Sequence, residues 1–463
     1  MNHLNNDLAQ LDEILHQVQK QGLAYLTKLN HRSTTGQLPT DQDVIFREEG
    51  LGTLAALQYF NERFEPAMVA SSGPRFWGFV TGGTTPAAIA GDWLASVYDQ
   101  NTQSAKGKGD ISAVIELETI KLLLSLFNLP DDFFGGFVTG ATVSNFTCLA
   151  SARQWIGKQA GKDFAKDGVS GLIKVLSATP HSSAMKSLAM LGMGSNNIVK
   201  VNVLHDNRET MDIADLEDKI TALNGEPFIL ISSAGTVNTV DFDDFVSIQK
   251  LRETYSFWWH IDAAFGGFAA CSPQHQHLVA GWEHADSITI NCHKWLNVPY
   301  ESAVFFLKEK HKLLQMETFQ NANAAYLGNP FDNFNYLNFL PENSRRLKAL
   351  PAWFSLMSYG KSGYQRIVES NADHALSFAA FIKLNNAFEM LAPVRLNTVC
   401  FALKDETKAD EFLIRLNATG KVFMTPTVYN GIKGIRAAFV NWRTSAADIK
   451  IATDEMNRIL TEL

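Results

Sequence analysis

The sequence lacks the features that mark several large classes of protein. It has no apolar run long enough to span a bilayer, and its amino terminus has neither the basic nor the apolar region of a signal peptide. Its four cysteines show no Cys-x-x-Cys spacing, and its twelve histidines show no metal-binding spacing. We therefore expect reduced thiols, a cytoplasmic location, no membrane partner and no catalytic metal.

An excess of charge of one sign is also missing. The 463 residues include 40 lysines and arginines and 48 aspartates and glutamates, which gives a net charge of −8. No basic run or basic-aromatic stripe is present, so we expect no nucleic acid partner. Hydrophobic residues make up 46% of the chain, and the length suits one large domain with one or two small ones.

Patterns typical of strands and helices alternate from about residue 71 to residue 310. Residues 171–177 and 227–232 give the clearest strands, and their alternation with helices predicts a mainly parallel sheet flanked by helices. A helical passage follows over 346–382. Later strand patterns, among them 422–426, predict a small α/β domain at the carboxyl end of the chain.

Lys294 stands where a short strand pattern over 287–290 should end, directly after His293. Asp262 holds the same kind of position after the mostly aromatic and β-branched run 257–261. Ligands of open α/β sheets bind beyond the carboxyl ends of strands, and a buried carboxylate needs a partner. In pyridoxal phosphate (PLP) enzymes a lysine bonds to the cofactor and an aspartate pairs with its ring nitrogen. A surface lysine and a chain-turning aspartate are the alternatives for each residue alone.

Two weaker patterns accompany this pair. Gly140, Ala141 and Thr142 form a turn before a helical pattern, and small residues there let a phosphate approach the free N–H groups of a helix start. The glycine spacings of Walker A loops and dinucleotide-binding folds are missing, and a plain strand–turn–helix is the alternative. His181 lies in a loop, where it is either a ring stacked on an aromatic cofactor or a surface histidine.

In this order the motifs resemble the group II PLP-dependent amino acid decarboxylases, a family that includes the aromatic L-amino acid, glutamate, histidine and cysteine sulfinate decarboxylases. His293-Lys294-Trp295 is the most specific match, and the resemblance extends over 74–81, 344–346 and 436–441. It covers the chain from about residue 70 to about residue 450. It implies the α/β fold of PLP-dependent transferases (fold type I, as in aspartate aminotransferases), with a large, mainly parallel sheet domain and a small C-terminal α/β domain.

The resemblance also implies that the chain is divided into three parts. These are an N-terminal helical dimerisation segment over 1–70, a large PLP-binding domain over 71–345 and a small C-terminal domain over 346–463. Residues 5–30 have a helical pattern with an apolar stripe that needs a covering surface, formed by Leu8, Leu11, Ile14, Leu15, Val18 and Leu23. A homodimer with its active site at the interface would cover the stripe, and packing on the same subunit is the alternative.

Roles for single residues follow from the resemblance, position by position. Lys294 would hold PLP as a Schiff base, and Asp262 would pair with the ring nitrogen. Ala264 and His181 would pack on the two faces of the ring. The phosphate or ring hydroxyl would be bound by Gly140, Ala141, Thr142, Thr236 and His293. The amino acid substrate would be bound by Thr81, Phe79 and Arg436, the last through its carboxylate.

A tyrosine on a mobile loop covers the site in this family and protonates the α-carbon after CO2 has left. Tyr326 falls at its position, and the following residues 328–338 are rich in Asn and Phe, as suits a lid. The span from Tyr326 to Arg345 is somewhat shorter than in the animal aromatic decarboxylases. Tyr336 is therefore an alternative, and a packing role for Tyr326 is another.

The resemblance implies decarboxylation of an L-amino acid to an amine and CO2. Phe76, Trp77 and Phe79 favour an aromatic or apolar substrate, with a role in the core as the alternative. Arg75 and Arg436 would instead suit an acidic substrate such as glutamate or cysteine sulfinate. A carbon–carbon lyase or an aldehyde synthase of the same family is a second hypothesis. A non-catalytic PLP-binding regulator belongs to another class, and a nucleotide-binding α/β protein is disfavoured by the missing glycine fingerprint.

Overall fold

The structure is a computed structural model that describes residues 2–36, 46–104, 110–320 and 334–463. Its α-helices in these ranges are α1 Asn2–Ala9, α2 Leu11–Lys28, α3 Thr53–Arg63, α4 Pro86–Tyr98, α5 Ser112–Leu126, α6 Ala141–Gln159, α7 Ser182–Met190, α8 Ile213–Ala222, α9 Phe245–Leu251, α10 Cys292–Trp295, α11 Lys312–Phe319, α12 Ala349–Leu384, α13 Ala409–Ala418 and α14 Ala446–Glu462.

The larger sheet in these ranges has seven strands in the order β1-β7-β6-β5-β4-β2-β3. Neighbouring strands from β3 to β6 are parallel, and β7 is antiparallel to both β6 and β1. This mainly parallel sheet between helices confirms the predicted fold class. The strands are β1 Phe133–Val138, β2 Lys174–Ser177, β3 Ile198–Lys200, β4 Phe228–Ser233, β5 Trp258–Asp262, β6 Ser287–Ile290 and β7 Ala303–Lys308.

The central strands of this sheet are buried along their whole length. Every residue of β4 and of β5 is buried, and α6 packs across β5, β6 and β7 on one face. A parallel sheet covered on both faces requires continuous apolar strands rather than alternating ones. His260 and Asp262 are polar exceptions in β5, two residues apart and therefore on the same face. Both need partners inside the protein.

A smaller antiparallel sheet lies in the carboxyl third of the chain, with strands β8 Phe388–Met390, β9 Thr398–Leu403, β10 Thr425–Tyr429 and β11 Ile432–Ala438 in the order β10-β11-β9-β8. The strand predicted at 422–426 is displaced, because β10 begins at Thr425. Phe423 instead exchanges backbone hydrogen bonds with Arg75 and Trp77 at 3.0 and 2.9 Å. An early segment of the chain thereby joins the small sheet.

Helix α12 connects the two sheets. It packs against α4 and α5 beside the large sheet and against β8 and β9 of the small one. Its path breaks at Gly360, where φ is +57° and ψ is −171°. This conformation favours glycine, since a side chain would clash with the backbone at positive φ. The predicted helical passage over 346–382 is therefore two helical segments with a break.

The apolar stripe of the N-terminal helices stays largely uncovered in the single chain. Ile14 is buried, but the other five members of the stripe, Leu8, Leu11, Leu15, Val18 and Leu23, are exposed. Packing on the same subunit therefore does not account for the stripe.

The sequence also predicted no membrane-spanning segment, no catalytic metal site and reduced thiols. No helix in the described ranges combines the length and apolar character needed to cross a membrane. The described residues also contain no group of three or more His, Cys, Asp or Glu side chains placed to hold a metal ion. Cys148, Cys271, Cys292 and Cys400 are all buried and free. Burial raises the pKa of the Cys148 and Cys292 thiols to about 12.

A buried ion pair ties α5 and β1 to the chain that leads into α12. Arg345 donates from Nη2 to Glu116 Oε1 at 2.6 Å and to the carbonyl oxygen of Phe137 at 2.7 Å. The backbone N–H of Phe137 donates to the same Glu116 oxygen at 2.8 Å. The side chains of Arg345 and Glu116 are only 2% and 0% exposed. Neither charge could be left alone without a large cost.

We expect Arg345→Met to lower the free energy of unfolding by about 3–5 kcal/mol, because it leaves the Glu116 carboxylate buried without its cation. Arg346→Met is the matched control, since Arg346 pairs with Asp92 at a half-exposed position and such pairs contribute about 1 kcal/mol or less. Urea unfolding of the two variants measures the difference. Equal unfolding midpoints would contradict the assigned role of Arg345.

Candidate active site

A cavity of about 420 Å³ lies beyond the carboxyl ends of β4 and β5. It brings together five residues that the sequence predicted to act at one site, namely Lys294, Asp262, His181, Ala264 and Thr236. They come from separate loops, and they meet because the carboxyl ends of parallel strands lie along one edge of the sheet. Glu209 and Asn238 also line the wall, and no sequence motif pointed to either.

Lys294 sits in the short helix α10 that follows β6. Its ammonium lies 5.1 Å from the centre of the Phe265 ring. Burial lowers the pKa of Lys294 to about 8, an effect that Asp262 opposes and Arg436 reinforces. About one amine in ten is then neutral at pH 7, and the neutral amine is the nucleophilic form. Lys294 is therefore chemically suited to attack a carbonyl group.

Glycine is required where the loop after Thr81 passes α10. A Cβ atom on Gly82 would overlap the carbonyl oxygen of Lys294. Thr81, a predicted substrate residue, is buried. It directly precedes Gly82 in the sequence and therefore lies next to the backbone of Lys294. Thr81 is not among the residues of the cavity wall.

Asp262 ends strand β5 and is 7% exposed. Its Oδ2 accepts from the amide nitrogen of Asn145 at 2.9 Å, and its Oδ1 accepts from the backbone N–H of Ala264 at 3.2 Å. No lysine, arginine or histidine in the described ranges forms an ion pair with Asp262. A buried carboxylate that faces a cavity and has no ion-pair partner suits a cationic ligand.

His181 precedes helix α7 at the mouth of the cavity. Its Nδ1 accepts from the backbone N–H of Ser183 at 3.2 Å, which caps the start of the helix. The residue as a whole is exposed in the single chain, although the protein around its ring still desolvates it in part. This desolvation lowers the pKa of His181, although Asp262 acts in the opposite direction. A neutral ring at the cavity mouth results.

The turn predicted to bind phosphate lies beside His293. Gly140 precedes α6, whose start has no side-chain cap, so the first N–H groups of the helix are free to meet an anion. A Cβ atom on Gly140 would lie 3.6 Å from His293 Cε1. Nδ1 of His293 accepts from the backbone N–H of Ser302 at 3.1 Å. Desolvation lowers the pKa of His293 to about 4, so the proton of the neutral ring is on Nε2, a donor.

Helix α7 holds this turn in place through a hydrogen bond. The carbonyl oxygen of Thr142 accepts from Ser187 Oγ in α7 at 3.1 Å. Gly140, Ala141, Thr142 and His293 do not line the 420 Å³ cavity itself. They form a group of donors beside this cavity. The group is linked to Lys294 through His293, which directly precedes it in the sequence.

Thr236 is tied to Glu209 at the cavity wall. The Thr236 hydroxyl donates to Glu209 Oε2 at 2.6 Å and accepts from the backbone N–H of Asp241 at 2.9 Å. Thr239 donates to the same Glu209 oxygen from its hydroxyl and its backbone N–H, at 2.7 and 3.1 Å. The proton of the Thr236 hydroxyl is therefore already committed, and Thr236 can only accept from a ligand.

The remaining substrate residues lie outside the cavity wall. Arg436 is 9% exposed, and its Nη1 donates to the carbonyl oxygen of Val237 at 2.6 Å, which places it behind the wall. Phe79 is 64% exposed and packs against Phe423, with ring centres 5.9 Å apart. The structure thus does not bring Phe79 to the cavity of the single chain.

Two residues that the sequence associated with substrate choice are structural. Arg75 is buried and forms an ion pair with Asp448 at 2.6 Å, so it is not available to an acidic substrate. Trp77 is 1% exposed and belongs to the core of the small sheet, where its ring packs on Phe439. The core alternative therefore holds for Trp77, whereas the expectation that Arg75 could serve an acidic substrate was wrong. Backbone pairing with Phe423 draws this segment into the core.

The predicted catalytic residue Tyr326 lies outside the described residues. The alternative, Tyr336, is fully buried, and its hydroxyl donates to the carbonyl oxygen of Gly135 at 3.1 Å. The guanidinium of Arg345 lies 4.6 Å from the centre of its ring. Tyr336 is therefore a packing residue of the core, which leaves Tyr326 as the predicted proton donor.

The donor set fits PLP. A cavity-facing carboxylate without an ion-pair partner suits a protonated ring nitrogen, and a half-buried amine with a lowered pKa suits an aldehyde. The uncapped start of α6 and the neutral His293 supply N–H donors of the kind that phosphate requires. The residues present thus offer complementary groups to the ring nitrogen, the aldehyde and the phosphate of the cofactor.

Comparison with known proteins supports the same conclusion. The sequence matches the model of the pyridoxal-dependent decarboxylase conserved domain over residues 42–404. It is 28% identical over 407 residues to phenylacetaldehyde synthase from Petunia hybrida, across 81% of this chain and 78% of that protein. It is 26% identical over 422 residues to aromatic-L-amino-acid decarboxylase from Catharanthus roseus, across 86% and 82% of the two chains. In structure it shares its fold with Catharanthus roseus tryptophan decarboxylase in complex with L-tryptophan, with a TM-score of 0.88, 21% identity and 98% of each chain covered.

We expect the lowered pKa of Lys294 to appear in the cofactor-free chain as a reactivity profile. Its rate of modification by an amine-selective reagent should rise about tenfold per pH unit and level off above about pH 8. Ordinary lysines, with a pKa near 10.4, should continue to gain reactivity. Peptide mass spectrometry after short exposures measures both in one digest. A Lys294 rate that still climbs steeply at pH 10 would contradict the lowered pKa.

Proposed function

Since the chain belongs to the group II PLP-dependent decarboxylase family, we propose that it converts an aromatic L-amino acid to its amine and CO2, with Lys294 as the residue that carries the cofactor. Family membership makes the protein a PLP-dependent amino acid decarboxylase. The substrate and the roles of single residues are the proposed part. The observation that carries them is the convergence of Lys294, Asp262 and His181 on one cavity.

Bound PLP supplies an aromatic ring that accepts the electron pair left behind when CO2 departs. Asp262 would keep a positive charge on the ring nitrogen through an ion pair, which makes the ring a better acceptor. Lys294 would offer its neutral amine for covalent attachment and leave when the substrate amine arrives. Both roles benefit from desolvation, because water would weaken the ion pair and solvate the amine. Asp262 is 7% exposed, and desolvation lowers the pKa of the half-buried Lys294.

The other residues would orient the reactants. Ala264 and His181 would confine the ring from its two faces, and Thr236 would accept from the ring hydroxyl. The donors at Gly140, Ala141, Thr142 and His293 would fix the phosphate. The bond to the substrate carboxylate must stand perpendicular to the ring for its electrons to enter the π system, and positioning of this kind contributes much of the rate. His181 at the cavity mouth and Arg436 behind the wall would help to hold that carboxylate.

An aromatic substrate is favoured over an acidic one. Arg75 is committed to Asp448, and the cavity wall carries the carboxylate of Glu209, which would repel an acidic side chain. Relatives that the chain matches include an aromatic-L-amino-acid decarboxylase and a phenylacetaldehyde synthase. Because a phenylacetaldehyde synthase is among these relatives, an aldehyde-forming reaction is the alternative outcome. Tyr326 as a proton donor at the α-carbon would favour the amine.

We also propose a homodimer. The exposed apolar stripe on α1 and α2 would be covered by a second subunit, with residues 1–70 as the dimerisation segment, 71–345 as the cofactor domain and 346–463 as the small domain. The mouth of the site, where His181 is exposed, would then lie at the interface, as would the exposed ring of Phe79. A cytoplasmic location accords with the four free cysteines.

We expect the purified protein with PLP to release CO2 from phenylalanine, tyrosine, tryptophan or dihydroxyphenylalanine. Glutamate and cysteine sulfinate should react at least tenfold more slowly, because the Glu209 carboxylate in the cavity wall would repel their acidic side chains. Lys294→Ala should lose the activity, whereas Lys200→Ala, at an exposed position on β3, should keep it. Release confined to an acidic substrate would overturn the aromatic assignment. No release from any amino acid would overturn the proposed activity.

We expect Tyr326→Phe to bind PLP with unchanged affinity and to lose most amine formation. The reason is that the hydroxyl returns a proton to the α-carbon after CO2 has left. Dissolved O2 would instead oxidise the decarboxylated intermediate, and water would release it as aldehyde and ammonia with hydrogen peroxide as the reduced product. Chromatography of amine and aldehyde products, beside CO2 release, measures the change. Tyr336→Phe is the matched control and should keep its amine yield. A normal amine yield from Tyr326→Phe would refute the assignment.

A further inference from the structure

Asp262 and His181, the two proposed contacts of the cofactor ring, are joined by one buried asparagine. Asn145 lies in the second turn of α6 and is fully buried. Its amide nitrogen donates to Asp262 Oδ2 at 2.9 Å and to Ser183 Oγ at 3.0 Å. Ser183 Oγ lies 2.7 Å from Nδ1 of His181. A single amide group therefore holds both contacts.

The amide oxygen of Asn145 is held from the other side by His260. Nε2 of His260 lies 2.9 Å from Asn145 Oδ1, and because an amide oxygen can only accept, this nitrogen must carry a proton. Burial lowers the pKa of His260 to about 4, so the ring is neutral and its Nδ1 is an acceptor. That nitrogen lies 2.9 Å from Ser287 Oγ, which itself accepts from Trp258 Nε1 at 3.1 Å.

The hydrogen bonds at the His181 end of this network have a fixed direction as well. The backbone N–H of Ser183 can only donate, and it points at His181 Nδ1 at 3.2 Å. Nδ1 of His181 is therefore the acceptor, and Nε2 carries the proton of the neutral ring. The Ser183 hydroxyl accepts from Asn145 and gives its own proton to the same Nδ1. Hydrogen bonds thus run in one direction through Trp258, Ser287, His260 and Asn145, where they branch to Asp262 and to Ser183 with His181.

Because each hydrogen bond in this network has a fixed donor and acceptor, no single side chain can be turned around without loss of hydrogen bonds. If the Asn145 amide were flipped, its oxygen would face the Asp262 carboxylate and its nitrogen would face the N–H of His260. Two hydrogen bonds would be replaced by two repulsive contacts in a site without water to compensate, and a partly satisfied buried network is costly. The orientation of Asn145 is therefore set by β5 and not by a ligand.

We propose that Asn145 is a positioning residue for the cofactor site. It aims the Asp262 carboxylate at the cavity, and through Ser183 it holds His181 in the form that presents Nε2–H to the ligand. The identity of the ligands at Asp262 and His181 rests on the proposed function, whereas the network belongs to the chain itself. A purely structural role, in which Asn145 only attaches α6 to β5, is the competing explanation that the experiment must separate.

The test is a PLP titration of the cofactor-free chain. Asn145→Leu should weaken PLP binding about 10- to 100-fold, because it removes a hydrogen bond to a charged group. Asn397→Leu is the matched control, since Asn397 is equally buried but bonds to Phe439 near the small sheet. Its PLP affinity should stay within about twofold of the parent chain, whatever stability is lost. Equal affinities for the two variants would overturn the proposal.

Two further measurements separate positioning from folding. Asn145→Asp keeps the shape of the side chain and the acceptor for His260, but its ionised form has no donors, so its PLP affinity at pH 8 should fall at least as far as that of Asn145→Leu. Ser183→Ala cuts only the branch to His181, so PLP affinity should change by less than about threefold. If Asn145→Asp bound PLP like the parent chain, the proposal would be wrong even where Asn145→Leu failed to fold.

The predicted ring forms can be observed without any turnover. Nitrogen-15 NMR of histidine-labelled, cofactor-free chain should show His181 and His260 as Nε2–H tautomers at pH 7.5, assigned by the signals lost in His181→Gln and His260→Gln. Asn145→Leu should change the His181 signal, whereas Asn397→Leu should not. His181 with its proton on Nδ1 would overturn the proposal. Because neither PLP affinity nor NMR requires decarboxylation, failure of the proposed reaction would leave this test intact and distinguishable.

Discussion

The arrangement of this protein follows from the difficulty of keeping charge inside a dry sheet. Strand β5 is buried along its length, and it ends in the carboxylate of Asp262, which must be satisfied without water. Asn145 from α6 and the N–H of Ala264 donate to it, and within the described residues it has no ion-pair partner. Lys294 lines the same cavity, and desolvation lowers its pKa. A ligand with a cationic ring nitrogen and an aldehyde satisfies both residues at once.

Much of this arrangement is predictable from the order of residues. Uninterrupted apolar runs such as β4 indicate strands that are covered on both faces, and the carboxyl ends of parallel strands meet at one edge. Lys294 and Asp262 each come at the carboxyl end of a strand pattern, so their convergence in one cavity needs only local patterns and a topological rule. His181 needed more, because a histidine in a loop has no pattern of its own. It became a candidate only through the resemblance to a known family.

Other parts depend on tertiary partners that no local pattern encodes. Asn145 looks like one more polar residue of a helix, and its importance appears only when α6 lies on β5. Glu209 stands in an irregular loop, and nothing in its neighbours along the chain announces that it meets Thr236. The aromatic character of Trp77 suited a pocket or a core equally, and only the structure decides between them. Backbone pairing with Phe423 draws it into the small core, and backbone pairing of that kind has no signature in composition.

The state of the four thiols has a practical consequence for anyone who handles this protein. Each cysteine is buried and unpaired, and burial keeps Cys148 and Cys292 protonated far above neutral pH. A thiolate is the form that alkylating dyes attack. A native preparation should thus be nearly silent to such dyes, and each chain that unfolds should reveal up to four labelling sites. Thiol labelling would then count damaged molecules in a stored sample, independently of cofactor loading and of any assay of activity.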